Sequence, residues 1–221
     1  PVHIALTYDE ELGCLGGDAI VREITELGIA PRLCFVGEPT SMQVIVGHKG
    51  GGMFRVVVTG TSAHSSLAPT AVNAIEYAAE MIAFIKGLSA EQAHHGAHDH
   101  LYDVAHSTLS VTTISGGAAI NIIPNHCEFG FDIRSLPEVD ARALVERIRD
   151  HARTVLLPRM RAIAPEADIR VEPIVEFVGL STDVEHPAVT FVKQLVGRND
   201  HAKVAYGTEA GLFSVRAGIV S

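Results

Sequence analysis

The chain has 221 residues, of which 47% are hydrophobic and 19% are charged, and its formal net charge at pH 7 is −9. This length and apolar content allow either one large domain or two smaller ones with packed cores. The negative charge is spread along the chain without a basic stripe, and there is no tryptophan. We therefore expect no nucleic-acid partner.

Apolar stretches are too short for a membrane span, which needs about 18 uninterrupted apolar residues. The first residues also lack the basic start of a signal peptide. The three cysteines, Cys14, Cys34 and Cys127, are odd in number and lie in apolar contexts. Reduced core thiols and a cytoplasmic location are the expectation.

The first 47 residues predict part of an α/β domain. Val2 to Thr7 and Leu33 to Val36 are short apolar runs, typical of buried parallel strands. Between them, Asp18 is a candidate N-cap for a helix that Gly28 would end.

The middle of the chain predicts a β-α-β-β-α-β order. The strands are expected at Phe54 to Thr59, Thr108 to Ile114, His126 to Arg134 and Ile169 to Val175, and the helices at Pro69 to Leu88 and Val139 to Leu157. This order is the ferredoxin-like split βαβ arrangement.

The last segment predicts a helix at Pro187 to Val196, a strand at Lys203 to Ala205 and a helix at Glu209 to Val215. It is too short to bury a core of its own. We therefore expect an α/β domain made of residues 1–47 and 178–221, with an α+β βαββαβ domain of residues 48–177 inserted into it.

Two acidic segments each follow an apolar run: Asp9-Glu10-Glu11, and Glu38 within Gly37-Glu38-Pro39-Thr40. In open α/β sheets, ligands bind at the carboxyl ends of the strands. Carboxylates at such an edge suit a divalent metal, and one of two adjacent acids can ligate it while the other accepts a proton from the bound water. A lone acidic run of this kind is more often a solvated turn.

Six motifs together resemble one known family. They are Asp9-Glu10-Glu11, Gly37-Glu38-Pro39-Thr40, His48-Lys49-Gly50, Gly60-Thr61-Ser62-Ala63-His64-Ser65-Ser66, the run from Gly116 to Pro124, and Tyr206-Gly207-Thr208-Glu209-Ala210. In this order they resemble the two-zinc amidohydrolase and peptidase family of acetylornithine deacetylase, succinyl-diaminopimelate desuccinylase, aminoacylase and glutamate carboxypeptidase. The motifs from Glu38 to Lys49 and at Thr208-Glu209-Ala210 look most like the acetylornithine deacetylase branch.

The resemblance implies zinc-dependent hydrolysis of the amide bond of an N-acyl amino acid, with N-acetylornithine and arginine biosynthesis as the best single guess. Another N-acyl amino acid or a dipeptide is the rival substrate, and a non-catalytic dimerisation module is the rival class. The family resemblance also implies a homodimer formed through the inserted domain. Ala74, Ala78 and Ala79 on its first helix are candidates for a close contact between subunits.

The resemblance also assigns roles to individual residues. Glu10 would be the general base, Glu11 and Glu38 would ligate the metals, and His64 would stabilise the oxyanion from the partner subunit. In substrate binding, Asn121 and Arg134 would hold the carboxylate end, Arg134 by paired hydrogen bonds. His48 would assist them, and Thr208 and Glu209 would line the pocket. Without the resemblance, His64 would be read as an ordinary surface histidine and Arg134 as a partner in an exposed ion pair.

The chain departs from the family pattern in one respect. The family's other metal ligands, an aspartate that follows a histidine, a bridging aspartate and a downstream histidine, have no counterparts here. The sequence thus looks like a fragment that lacks both ends. Two zinc ions, or cobalt in their place, are expected in the whole protein and only weakly or not at all in this stretch. His94, His95, His98, His100 and His106 crowd one loop, which we expect to be solvated and unrelated to catalysis.

Overall fold

The computed structural model describes residues 2–10 and 13–221. The amino-terminal part contains helix α1 (Leu15–Glu26) and strand β1 (Ile45–His48). Helix α1 begins before Asp18, and its N-cap position is taken by Cys14 in a left-handed conformation without a side-chain cap. The prediction that Asp18 caps this helix is therefore wrong. Asp18 lies in the first turn, where it forms an ion pair with Arg216.

The middle part forms a four-stranded antiparallel sheet covered by helices. Its elements are β2 (Gly50–Thr59), the short strand β3 (Ala63–His64), α2 (Ala74–His95), β4 (Thr108–Gly116), the short strand β5 (Ile122–Ile123), β6 (His126–Ser135), α3 (Ala141–His151), α4 (Leu157–Arg161) and β7 (Asp168–Phe177). The strand order in the sheet is β4-β6-β2-β7. This is the strand order of a split βαβ fold, so the predicted arrangement is confirmed.

The helix bounds differ from the prediction at both helices of this domain. Helix α2 begins at Ala74 because the Asn73 side chain accepts hydrogen bonds from the N–H groups of Ile75 and Glu76. Pro69 instead lies in a 3₁₀ helix, Ser65–Thr70. After α3 the chain passes through a π-helical turn, Ala152–Leu156, directly into α4.

The carboxyl-terminal part contains β8 (Leu180–Ser181), α5 (Pro187–Val196), β9 (Ala202–Val204) and α6 (Glu209–Ala217). Strands β8, β1 and β9 form a second sheet in that order, with β1 parallel to β9 and antiparallel to β8. The residues before and after the middle domain thus share one sheet, as the insertion hypothesis requires.

Two predicted strands are absent, because Val2 to Thr7 and Leu33 to Val36 are extended but belong to no sheet. A strand needs a neighbouring backbone to pair with. Among the described residues, Cys34 N–H donates to the carbonyl of Val220 at 2.8 Å, and this contact does not extend into a ladder. Val2 and Ile4 are 93% and 87% exposed, so their apolar side chains have no core to enter.

The larger hydrophobic core lies between the four-stranded sheet and its helices. Strand β6 alternates as predicted: Cys127, Phe129, Phe131 and Ile133 are buried, and the residues between them are half-buried. A separate small cluster of Val44, Val46 and Val189 lies under the three-stranded sheet. The domain division at residues 47 and 178 agrees with these two cores but stays a prediction.

Among the described residues, no helix is long and apolar enough to cross a membrane.

Candidate active site

Cys14 precedes α1 in a setting where carboxylates from three parts of the chain act on its thiol. Burial, followed by the negative charges of Glu10, Glu209, Glu38 and Asp18, raises the pKa of the Cys14 thiol to about 12. Glu209 also lies close to α1, since its Oε1 is 3.2 Å from the position that a Cβ on Gly17 would take. The predicted site residues Glu10, Glu38 and Glu209 thus influence one thiol electrostatically.

The segment that carries Glu10 is a tight turn at the start of α1. Asp9 and Cys14 both have positive φ angles, 52° and 62°. The N–H groups of Gly13 and Cys14 donate to the carbonyl of Glu10 at 3.0 and 2.8 Å. This turn fixes the backbone of Glu10. Glu11, the predicted metal ligand, lies outside the described residues.

Glu38 lies in an extended loop that borders an apolar cavity of about 290 Å³. The loop is held by hydrogen bonds from Glu38 N–H to Val36 and from Thr40 N–H to Glu38, at 3.1 and 2.8 Å. His48 and Thr208 also line the cavity. Three predicted site residues thus border one space.

Glu209 lies in the first turn of α6 and is 5% exposed. Its Oε2 accepts a hydrogen bond from the Thr7 hydroxyl at 2.8 Å, while its Oε1 is buried without a hydrogen-bond partner among the described residues. Thr208 caps the same helix, since its hydroxyl accepts from Ala210 N–H at 3.1 Å. An unsatisfied buried carboxylate oxygen costs free energy, and such atoms are expected at functional sites. Sequence reasoning predicted only that Glu209 lines the site.

His48 is 1% exposed and both of its ring nitrogens are engaged. Gly211 N–H donates to Nε2 at 3.1 Å, so the proton is on Nδ1, which lies 3.0 Å from the carbonyl of Lys49. Burial lowers the pKa of His48, so the ring is neutral at pH 7. In this arrangement His48 joins β1 to α6, and its predicted role in substrate binding stays untested.

Arg134 lies on β6 and faces the segment that precedes Thr208. Its Nε donates to Asp132 Oδ1 at 3.0 Å, and its guanidinium lies 5.0 Å from the centre of the Phe177 ring. Phe177 also contacts Gly207, where an added Cβ would be 2.9 Å from the ring. Arg134 is thus oriented at the edge of the site, with its terminal nitrogens not required by Asp132.

His64 and Asn121 lie together, but far from Arg134. Strands β3 and β5 pair His64 with Ile122, and Ser65 N–H donates to the carbonyl of Asn121 at 2.9 Å. His64 is exposed, and its Nδ1 accepts a hydrogen bond from Ser66 N–H at 3.3 Å.

The register of the four-stranded sheet gives the separation between Arg134 and the pair formed by His64 and Asn121. Strand β2 pairs Gly51 with Arg134 at one end and Thr59 with His126 at the other. These ends are eight residues apart on β6, or ~27 Å at the usual rise of a strand. Because His64 and Asn121 follow the Thr59 end, one chain does not bring them to Arg134 and the carboxylates.

The described residues do not fit a two-metal centre on their own. In residues 2–10 and 13–221, no group of three or more histidine, cysteine, aspartate or glutamate side chains is arranged to hold a metal ion. In the histidine-rich loop, the rings of His98 and His106 lie 5.6 Å apart, and both ring nitrogens of His98 contact backbone carbonyls, those of Gly96 and Ala93.

Comparison with known proteins identifies the class to which this fold belongs, that of the peptidase dimerisation domains. Residues 46–160 match the family described as the M20 peptidase dimerisation domain. This match covers just over half of the chain, so the chain belongs to that family.

Two curated relatives share one name. Acetylornithine deacetylase of Aliivibrio fischeri strain MJ11 is 32% identical over 211 residues, which are 95% of this chain and 53% of the relative. The Pasteurella multocida enzyme of the same name is 34% identical over 152 residues, 67% of this chain and 38% of the relative. The chain thus spans about half the length of the first of these relatives.

Solved structures show the same fold. Aminopeptidase PepT of Bacillus cereus has a TM-score of 0.63 at 21% identity, covering 95% of this chain and 52% of that one. A tripeptidase of Staphylococcus aureus has a TM-score of 0.64 at 18% identity, covering 97% of this chain and 53% of that one.

Proposed function

We propose that this chain is part of a metal-dependent amidohydrolase that cleaves the amide bond of an N-acyl amino acid, with N-acetylornithine as the substrate. The observation that carries the proposal is that Glu38, His48 and Thr208, from three separate segments, border one cavity, beside Glu209 with its buried Oε1 that has no hydrogen-bond partner among the described residues. The name of the curated relatives supports the substrate. A cytoplasmic location and a role in arginine biosynthesis belong to the same proposal.

The metal ions of this proposal are zinc, with cobalt as an alternative. Glu11 and Glu38 would supply ligands from this stretch, and further ligands would come from elsewhere in the protein, since the described residues form no complete group. When bound, such ions polarise a carbonyl and acidify water. This stretch by itself should bind zinc weakly or not at all.

The residues of this chain have distinct tasks in the proposal. A carboxylate oxygen of Glu10 accepts the proton released by the attacking water and later passes it to the leaving amine. Arg134 binds the carboxylate of the amino acid through its terminal guanidinium nitrogens. Thr208 and Glu209 line the pocket, with the backbone of α6 fixed by His48.

His64 and Asn121 would act on the site of the partner subunit in a homodimer. The ~27 Å along the sheet between their end and Arg134 supports this arrangement. His64 would donate a hydrogen bond from Nε2 to the oxyanion, because its Nδ1 accepts from Ser66 N–H. Asn121 would bind the substrate beside it.

The candidate contact through Ala74 and Ala78 is contradicted by the structure, because both residues are fully buried in the core of their own domain, whereas Ala79 is exposed and stays a candidate. The edge of β4 is the better candidate for the two-fold contact. This strand ends the sheet, and Ile114, Ile120 and Ile122 near it are exposed. An exposed strand edge with apolar side chains is a template for pairing with another chain.

A second candidate substrate is a dipeptide or another N-acyl amino acid. The two solved structures named above are an aminopeptidase and a tripeptidase, and the clustered carboxylates do not discriminate among amide substrates. A dimerisation module without catalysis is the third reading, and it predicts a dimer that hydrolyses none of these compounds.

The test uses the protein expressed from its complete gene and loaded with zinc. We expect hydrolysis of N-acetylornithine with a higher kcat/KM than of other N-acyl amino acids or of dipeptides. Glu10→Gln should lower kcat by at least ~10²-fold while the zinc content is unchanged. Glu23→Gln, on the exposed face of α1, is the matched control and should retain full activity.

Two outcomes contradict parts of the proposal. Preference for a dipeptide would move the protein to the second candidate. Loss of zinc in Glu10→Gln as large as in Glu11→Gln would show that Glu10 is a ligand and not the base.

A further inference from the structure

A groove on the inserted domain is lined by four arginines. Arg149 and Arg153 come from α3 and the π-helical turn, Arg161 from the end of α4, and Arg170 from β7. The groove has a volume of about 430 Å³, and Leu157 and Ile169 are among the aliphatic residues that line it. It lies beside β7, at the opposite edge of the sheet from β4.

Arginine is concentrated in this region. Residues 141–172 contain seven of the 17 lysine and arginine residues and five of the 26 acidic residues. Each of the seven arginines pairs with a carboxylate, and three of these carboxylates, Glu80, Glu91 and Glu176, lie outside the segment. The region is therefore rich in guanidinium N–H donors, and its charges are largely balanced.

A π-helical turn, Ala152–Leu156, contributes Ala152 and Arg153 to the groove. π-Helical turns are rare and occur frequently at functional sites. The π-helical turn therefore indicates a function for this surface on grounds that are separate from the number of arginines.

The ion pairs of the four arginines leave guanidinium N–H donors available for a ligand. Arg149 pairs with Glu146, Arg153 with Asp150, and Arg161 with Asp168, while Arg170 Nε is 3.6 Å from Glu172. These side chains are 37%, 69%, 51% and 59% exposed. Exposed pairs of this kind contribute between zero and about 1 kcal/mol, and a guanidinium has five N–H donors, more than one carboxylate occupies.

The lining chemistry selects a class of ligand. A guanidinium matches the geometry of phosphate by paired hydrogen bonds. The groove residues include no aromatic ring that could stack on a base, which disfavours nucleotides. The groove volume of about 430 Å³ is larger than one phosphate group occupies. We propose that this arginine groove binds a small molecule that carries a diphosphate group, independently of the amide hydrolysis proposed above.

A purely structural role predicts different behaviour. Arg149 Nη2 donates to the carbonyl of Val171 at 3.3 Å, and Arg161 Nε donates to the carbonyl of Ala167 at 3.0 Å. The first contact is to β7 and the second to the residue just before it, and charged side chains protect strand edges from pairing. In that case the arginines would stabilise the fold and bind no anion.

The test is calorimetric titration of the 221-residue chain with pyrophosphate. We expect one site with a dissociation constant below about 1 mM, and inorganic phosphate should bind more weakly. The double variant Arg153→Gln/Arg170→Gln should weaken binding by at least ~10-fold with an unchanged melting temperature, since both side chains are exposed. Arg142→Gln, on the same helix but outside the groove, should change affinity less than about twofold.

Four outcomes would overturn the proposal. The first is the absence of pyrophosphate binding, and the second is equal weakening by Arg142→Gln, which would indicate non-specific attraction. The third is binding to phosphatidylglycerol vesicles without binding of soluble pyrophosphate, which would identify a lipid surface as the partner. A double variant that binds normally but melts at a lower temperature would establish the structural role instead.

Discussion

At the scale of single residues, His48 connects the two parts of the chain that flank the inserted domain. It lies at the end of β1, and its ring is fixed between the Lys49 carbonyl and the N–H of Gly211 in α6. The lowered pKa of His48 links this arrangement to pH. Below its usual pKa of 6.5, the unfolded chain takes up a proton that the folded chain refuses, so stability falls as pH falls.

The prediction concerns the difference between the wild type and His48→Gln, whose amide can still donate and accept. Between pH 6.5 and 5, the free energy of unfolding of the wild type should fall more steeply, by at most about 1.4 kcal/mol per pH unit for one proton. Denaturant unfolding across this range measures it. His126→Gln, an exposed histidine, should keep the wild-type slope, and an unchanged slope in His48→Gln would contradict the assignment.

Tyr102 combines favourable ring contacts with a hydroxyl that lacks a hydrogen-bond partner among the described residues. Its ring contacts two lysines, with the Nζ atoms of Lys49 and Lys203 5.6 and 5.5 Å from the ring centre. Lys49 also donates to the His106 carbonyl at 2.6 Å, and Lys203 to Asp99 at 2.6 Å. The Tyr102 hydroxyl, however, is buried without a hydrogen-bond partner among the described residues. The ring contributes to the packing of this loop, whereas the unsatisfied hydroxyl lowers the free energy of unfolding.

Tyr102→Phe should therefore keep both lysine contacts and raise the free energy of unfolding by about 1 kcal/mol, because it removes an unsatisfied polar atom. Tyr77→Phe, at a partly buried tyrosine that contacts Arg159, should change stability by less than about 0.5 kcal/mol. Thermal and denaturant unfolding provide the measurement. Destabilisation by Tyr102→Phe would mean that the hydroxyl has a partner in solution.

At the scale of elements, the start of β2 depends on glycine. Gly51 has φ +141°, and an added Cβ would lie 1.8 Å from the carbonyl oxygen of Ile133. Gly51 pairs with Arg134 on one side and with Phe177 on the other. The close approach of these strands thus holds the arginine of the candidate site in place.

Gly51→Ala should cost about 3 kcal/mol or more, since the residue would be strained and would clash with backbone. Gly87→Ala is the matched control, because Gly87 lies in the exposed part of α2 with open space at its Cβ position. That variant should gain about 0.5–1 kcal/mol. If Gly51→Ala unfolds at the same denaturant concentration as wild type, the described close approach is wrong.

The same elements show what the sequence can predict. Helix α5 is found with its predicted bounds, since Pro187 at its start and Gly197 after its end mark both termini. Val2 to Thr7 has the composition of a strand but forms none, because composition cannot supply a pairing partner. The burial of Glu209 could not be predicted from the sequence either, because its contact with Thr7 joins residues 202 positions apart. Local patterns thus predict elements and motifs, whereas long-range packing decides the site.

At the scale of the whole molecule, the candidate catalytic residues fall into two groups. Glu10, Glu38 and Glu209 all act on the Cys14 thiol, whose pKa they help to raise after burial, and Arg134 approaches the segment before Thr208 through Phe177. His64 and Asn121 lie at the far end of the four-stranded sheet. A dimer that pairs the two sheets would bring the far end of one subunit toward the carboxylates of the other.

Subunit exchange tests this arrangement in the protein expressed from its complete gene. His64→Ala and Glu10→Ala should each be nearly inactive, but mixing them should restore activity, since one of the two sites in each heterodimer then has both residues intact. At equal concentrations, random pairing makes half of the dimers mixed, and with one intact site in each, activity should approach a quarter of the wild-type value. Mixing Glu10→Ala with Glu38→Ala is the control and should restore nothing, because both residues belong to the same site of one chain. Mass spectrometry of differently tagged subunits verifies the exchange. If heterodimers form and remain inactive, His64 serves its own subunit or has no catalytic role.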